Sequence, residues 1–176
     1  MEVQGGKFLT FMLGAESFGT PIRKVKEIIG MMEITHIPKT QGYIKGVINL
    51  RGKIIPVMDL RLKFGMAEKE YNDRTCIMIM EVFSGQAGQL IGVVVDAVTE
   101  VVNIQAGEIE PPPEYGTGIE GDFLTGIGKL KDKVILLLNI EKVLSREEIG
   151  LVKKDLTGDF EKEGAFLRAG EACRIS

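Results

Sequence analysis

The chain has 176 residues, a formal net charge of −3 with acids and bases interleaved, and 44% apolar residues. That is enough for a core, but no apolar run approaches the ~20 residues that a bilayer span needs, and the opening Met1-Glu2-Val3-Gln4-Gly5-Gly6 lacks the order of an export signal. There is no clustered basic face, no tryptophan, and only 6% aromatic residues, which argues against nucleic acid as a partner, and the expected setting is cytoplasmic without direct membrane insertion.

In chain order, strands are predicted at Phe8–Leu13, Gly46–Leu50, Lys53–Met58, Thr75–Phe83, Leu90–Val95, Val98–Ile104 and Val134–Asn139. They are short, rich in β-branched residues, and separated by Gly, Pro, Asn or Asp, which is the pattern of a barrel or sandwich. A helix is expected over Pro21–Ile29, with Pro in a first-turn position and Ile22, Val25, Lys26, Ile28 and Ile29 near one face. One or two helical turns are expected over Ile140–Leu144. Arg51-Gly52-Lys53 reads as a tight hairpin turn with Arg51 at its tip. Pro56, which cannot donate to a ladder, should sit at an edge or a bulge. Cys76, in an apolar run, is expected to be a buried free thiol; it and Cys173 form no C-x-x-C pair, so no zinc site or disulfide framework is expected. From Ser145 the sequence has a helix-start pattern followed by recurring glycines, so residues 145–176 are read as a short helix and a mobile tail.

An internal repeat organises the rest. Gly46–Leu60 aligns without a gap on Gly126–Ile140 at an offset of 80, so that Arg51 matches Lys131 and Asp59 matches Asn139. Gly19–Pro38 aligns on Gly92–Pro111 at an offset of 73, pairing Val25 with Val98 and Glu27 with Glu100. The extra residues between the blocks fall in a stretch of loop composition, from Pro112 to Gly118. Two similar small β-barrels packed into one body account for this pattern.

The chemistry of catalysis is not visible. The single histidine, His36, stands without a cysteine, serine or carboxylate motif, and there is no nucleophile elbow, P-loop or zinc-binding helix. Gly126-Ile127-Gly128 lacks the third glycine and the helix that phosphate binding requires. Asp96 and Glu100 fit an acidic, solvated rim. Arg51 reads either as a solvated charge or as an interface anchor. Ile54 and Ile55 alternate, so one of them must point away from the core. A rival reading uses the cleft between the halves as a ligand-binding or hydrolytic site built from His36, Asp96 and Glu100.

The segments Phe8–Gly14, Ile22–Ile28, Ile44–Val57, Gly92–Asp96 and Phe123–Gly128 together resemble the CheW family of chemotaxis coupling proteins, from about Lys7 to Leu144. The resemblance implies a mainly β fold of two SH3-like five-stranded barrels packed together, with short helices and a C-terminal tail. The first barrel would be mainly 15–82, and the second mainly 83–144 plus the strand 7–14. It implies a non-enzymatic adaptor, without cofactor or metal, that links the cytoplasmic tip of methyl-accepting chemoreceptors to the regulatory domain of the histidine kinase CheA. By resemblance, Val25, Glu27, Arg51, Val98 and Val101 face the receptor, and Lys45, Gly46, Ile54 and Ile55 face the kinase.

Overall fold

The structure is a computed structural model in which residues 4–38, 40, 42–84, 87–112 and 123–143 are described. The strands are β1 (Gly6–Leu13), β2 (Glu16–Pro21), β3 (Val25–Gly30), β4 (Ile44–Leu50), β5 (Lys53–Asp59), β6 (Cys76–Ser84), β7 (Ala87–Val95), β8 (Ala97–Ile104), β9 (Ile109–Glu110), β10 (Leu124–Leu130) and β11 (Lys133–Leu138). Two one-turn helices, α1 (Leu60–Lys63) and α2 (Ile140–Val143), follow β5 and β11. The expected helix and tail from Ser145 lie outside the described residues.

The fold is mainly β and forms two SH3-like halves. One sheet has the order β3-β6-β7-β5-β4, and the other the order β8-β1-β2-β11-β10-β9, in which the two-residue β9 extends the expected five strands to six. Ile48, Ile55, Val57, Ile77, Ile79 and Val94 fill the first half. Phe8, Ile104, Ile135 and Leu137 fill the second.

The repeat is real in three dimensions. Register shifts occur at Ile44/Gly46 in one half and at Leu124/Gly126 in the other. The Asp59 N–H donates to the Tyr43 carbonyl, and the Asn139 N–H to the Phe123 carbonyl. The Asp59 and Asn139 side chains then cap α1 and α2 by accepting from backbone N–H groups two residues on. β5 runs parallel to β7 with Val57 opposite Gly92, and β11 runs parallel to β2 with Leu137 opposite Gly19. A Cβ on Gly92 would come within 2.9 Å of Ile77 and 3.2 Å of Val57, and one on Gly19 within 3.1 Å of Leu137. Glycine at these two equivalent places therefore lets a neighbouring side chain cross the strand.

The strand 7–14 lies in the second sheet as expected, but β2 and β7 fall on the other side of the division drawn at 15–82 and 83–144. The hairpin β1–β2 belongs to the second sheet, and the hairpin β6–β7 to the first. Hairpin partners stay together because their ladders are continuous, and β6 pairs with β7 over nine rows. Each repeat thus gives its hairpin to one sheet and its remaining strands to the other. The chain crosses between sheets at Ile22–Lys24, a 3-10 turn, and again at Asp96.

The helix expected over Pro21–Ile29 is that 3-10 turn followed by β3. The misreading has a physical cause. On β6, Met80 and Ile79 are adjacent, but their partners Val25 and Glu27 are two apart, so Lys26 is the extra residue of a bulge. The bulge brings Val25 and Ile28 to the same face, three residues apart, which is a helical spacing. Pro56 lies in the interior strand β5 rather than at an edge, one residue before the ladder to β7 begins. Cys76 is free but only partly buried, and its thiol donates to the Arg74 carbonyl.

Candidate protein-binding surfaces

The hairpin β4–β5 turns through Arg51 (φ 51°) and Gly52 (φ 85°), a pair of positive φ values that matches the twist of the flanking strands. Arg51 is thereby raised at the tip, where its guanidinium forks onto Glu27 of the edge strand β3. Nη1 donates to Oε1 at 3.0 Å, and Nη2 donates to Oε2. These bonds hold the Glu27 carboxyl below its ordinary pKa and raise that of Arg51. Glu27 and Arg51, 24 residues apart, are thus brought together as one strut across the edge of the first barrel. In the second barrel Glu100, the counterpart of Glu27, is reached at 3.5 Å by Lys133 rather than by Lys131, the counterpart of Arg51.

β8 carries the same bulge as β3. Leu9 and Phe11 are two apart, while their partners Val101 and Val98 are three apart. Val25 and Ile28 therefore match Val98 and Val101 in place and in facing. Val25 and Ile28 share their side of the sheet with Met80 and Met78, which are buried yet stand on the opposite side from Ile77 and Ile79 of the barrel core. Both bulged edges consequently present these residues on the sheet face opposite the barrel core. Ile28 is 41% exposed and Val101 51% exposed. Ile28 was not among the expected receptor-facing residues; its signal was its alignment with Val101 at an offset of 73.

The other expected set is only partly at the surface. Ile54 is 40% exposed, whereas Ile55 is 1% exposed and packs in the first barrel's core. Strand alternation allows only one of the two outward, so Ile55 supports the surface rather than forming it. Gly46 is buried with φ 139°, and a Cβ there would lie 2.0 Å from the Thr35 carbonyl oxygen. Its role is to let the segment bridged by Thr35 and Val47 close over β4. Lys45 bonds Glu68 at 3.2 Å and lies over the Tyr71 ring. Tyr71 in turn donates to the buried Asp59 at 2.8 Å, and burial followed by that carboxylate pushes its phenol pKa up.

The groups required by the cleft reading have other partners or positions. Asp96 accepts from the Gly14 N–H at 2.7 Å and pairs with Arg61 at 2.7 Å, so it is a structural junction and not part of a solvated rim. Glu100 faces Lys133, and His36 is exposed beside Gly46. Among the described residues no group of three His, Cys, Asp or Glu could hold a metal, and no helix is long and apolar enough to cross a membrane.

Comparison with known proteins agrees with this architecture. Residues 7–148 match the family described as CheW-like domain. The chemotaxis protein CheW of Klebsiella aerogenes is 42% identical over 151 residues, covering 86% of this chain and 89% of the relative. Protein FrzA of Myxococcus xanthus is 31% identical over 141 residues, covering 78% of this chain and 84% of the relative. The crystal structure of the scaffolding protein TtCheW from Thermoanaerobacter tengcongensis superposes with a TM-score of 0.74 at 39% identity, covering 81% of this chain and 94% of that one.

Proposed function

Because the chain belongs to the CheW-like family, we propose that it is a non-enzymatic cytoplasmic adaptor, which joins the tip of a helical chemoreceptor bundle to the regulatory domain of a CheA-type histidine kinase. It acts in chemotaxis signal transduction, by contact and not by chemistry.

The observation that carries this reading is a pair of exposed isoleucines, Ile28 and Ile54, on strands tied by the Arg51–Glu27 strut. Exposed β-branched residues on a rigid edge suit an apolar partner face, and a bidentate ion pair nearby can be shared or exchanged when a charged partner arrives. The receptor surface is assigned to Val25, Ile28, Glu27, Arg51, Val98 and Val101, at the rim of the junction. A coiled-coil tip presents apolar residues at helical spacing, which two apolar edges can grip. The kinase surface is assigned to Ile54 with Lys45, on the outer side of the first barrel. Gly46 and Ile55 shape that surface from beneath.

The test measures binding to a soluble receptor-tip fragment and, separately, to the kinase regulatory domain. Arg51→His should weaken receptor binding by about 1 kcal/mol or more without unfolding the protein, since it removes a bidentate charged anchor. Unchanged receptor affinity would remove Arg51 from the assigned surface.

A further inference from the structure

The two places where the chain crosses between sheets are each closed by an ion pair to a one-turn helix, and the two pairs have opposite polarity. At the second crossing the acid is on the crossing and the base on the helix: Asp96 pairs with Arg61 of α1 at 2.7 Å. At the first crossing the base is on the crossing and the acid on the helix: Lys24 pairs with Glu141 of α2. Arg61 and Glu141 are equivalent at the offset of 80, and Asp96 corresponds at the offset of 73 to Arg23, the neighbour of Lys24.

The crossings also differ in how firmly they are held. Asp96 accepts a backbone N–H from Gly14, and the Arg61 guanidinium also donates to the Ala67 carbonyl. Those side chains are 12% and 13% exposed. Lys24 and Glu141 are 25% and 33% exposed. The Lys24 ammonium also stands 5.5 Å from the centre of the Phe83 ring on β6. Lys24 therefore spans three elements: its own turn, α2 from the opposite repeat, and β6. The next residue is Val25, the first of the bulged edge strand.

We propose that Lys24 is a positioning residue for partner binding at β3: braced between Glu141 and Phe83, it fixes the start of this edge, and hence the placing of Val25 and Ile28, without touching the partner itself. The inference rests on the assignment of the β3 edge to the receptor. A long cationic side chain whose ammonium is held by both an acid and an aromatic face restricts the turn before the strand. The more exposed pair leaves this crossing the more easily displaced of the two.

The experiment compares Lys24→Glu, Glu141→Lys, and the double variant with both charges exchanged, together with Lys24→Gln as a variant that introduces no repulsion. Each is measured for affinity to the receptor-tip fragment, for affinity to the kinase regulatory domain, and for thermal midpoint. Lys24→Glu is expected to weaken receptor binding by about fivefold, with kinase binding unchanged, and the exchanged pair to recover to within about twofold. Lys24→Gln should fall between. Recovery in the exchanged pair is the outcome that a direct Lys24–partner contact would not give. Unaltered receptor binding in Lys24→Glu, or failure of the exchanged pair to recover, overturns the positioning role. Ile28→Glu separates this from failure of the underlying assignment. Loss of receptor binding in Ile28→Glu with no effect in Lys24→Glu overturns the inference alone, while no effect in either overturns both.

Discussion

The two sheet crossings do the same topological work with different means. At the Asp96 crossing the paired side chains are only 12% and 13% exposed, and one carboxylate holds a guanidinium and a backbone N–H at once. The Lys24 crossing is wetter: its paired side chains are 25% and 33% exposed, and an exposed aromatic ring is its second support. The difference teaches that a repeat can conserve a fold's connections while reassigning which of them are rigid. The wetter crossing leads straight into the edge assigned to the receptor, so its hold on that edge rests on the Lys24 contacts. The drier crossing leads into β8, whose own strut from Glu100 to Lys133 is the looser one.

The largest expected effect breaks the comparison altogether. A fragment of residues 15–82, the barrel drawn from sequence neighbours, lacks β7, which lies at the centre of the first sheet. It should show no cooperative thermal transition by circular dichroism, whereas residues 25–95, which contain all five strands of that sheet, should retain one. Next comes Gly46→Ala. Its Cβ would meet a backbone oxygen at 2.0 Å in a conformation that disfavours side chains, so a loss of about 3 kcal/mol or more in urea unfolding is expected.

The crossings themselves provide the third test. Asp96→Ala removes the acceptor that Arg61 and the Gly14 N–H share and leaves the mostly buried Arg61 guanidinium without its counter-charge, for an expected cost of about 2–3 kcal/mol. Glu141→Ala, at the wetter crossing, should cost less than about 1 kcal/mol. Equal costs would remove the asymmetry.

The smallest effect is a pH dependence at the strut. The folded-state pKa of Glu27 is lowered by its bonds to Arg51, so the strut's contribution is present above the ordinary glutamate value and is lost as pH falls through the lowered one. The stability gap between the wild-type protein and Glu27→Gln should therefore be small at neutral pH and close on acidification below the ordinary glutamate range. A gap that widens in acid would contradict the sign of this linkage.

Much of the architecture was legible in the sequence because repeats preserve local devices. The glycine opposite a large side chain, the capping Asp59 or Asn139, and the hairpin tip at Arg51 or Lys131 all recur at constant offsets. The alternation of Ile54 and Ile55 correctly implied one outward residue, although not which one. Three things were hidden in whole or in part. The exchange of hairpins was only half visible: the strand 7–14 was placed with the second barrel, but that β2 follows it and that β7 stays with β6 was not, because a repeat reports order along the chain and says nothing of which sheet a hairpin joins. The bulge at Lys26 gave a strand the spacing of a helix. The pairs Arg51–Glu27, Arg61–Asp96 and Lys24–Glu141 join residues 24, 35 and 117 positions apart, so no local pattern announces them.

The central claim is that one edge of this protein serves the receptor and another surface the kinase. It is tested most directly by measuring both affinities, by calorimetry, for Ile28→Glu and Ile54→Glu. Ile28→Glu should lose receptor binding and keep the kinase domain, and Ile54→Glu should do the reverse. Loss of the same partner by both variants, or of neither, would contradict the account.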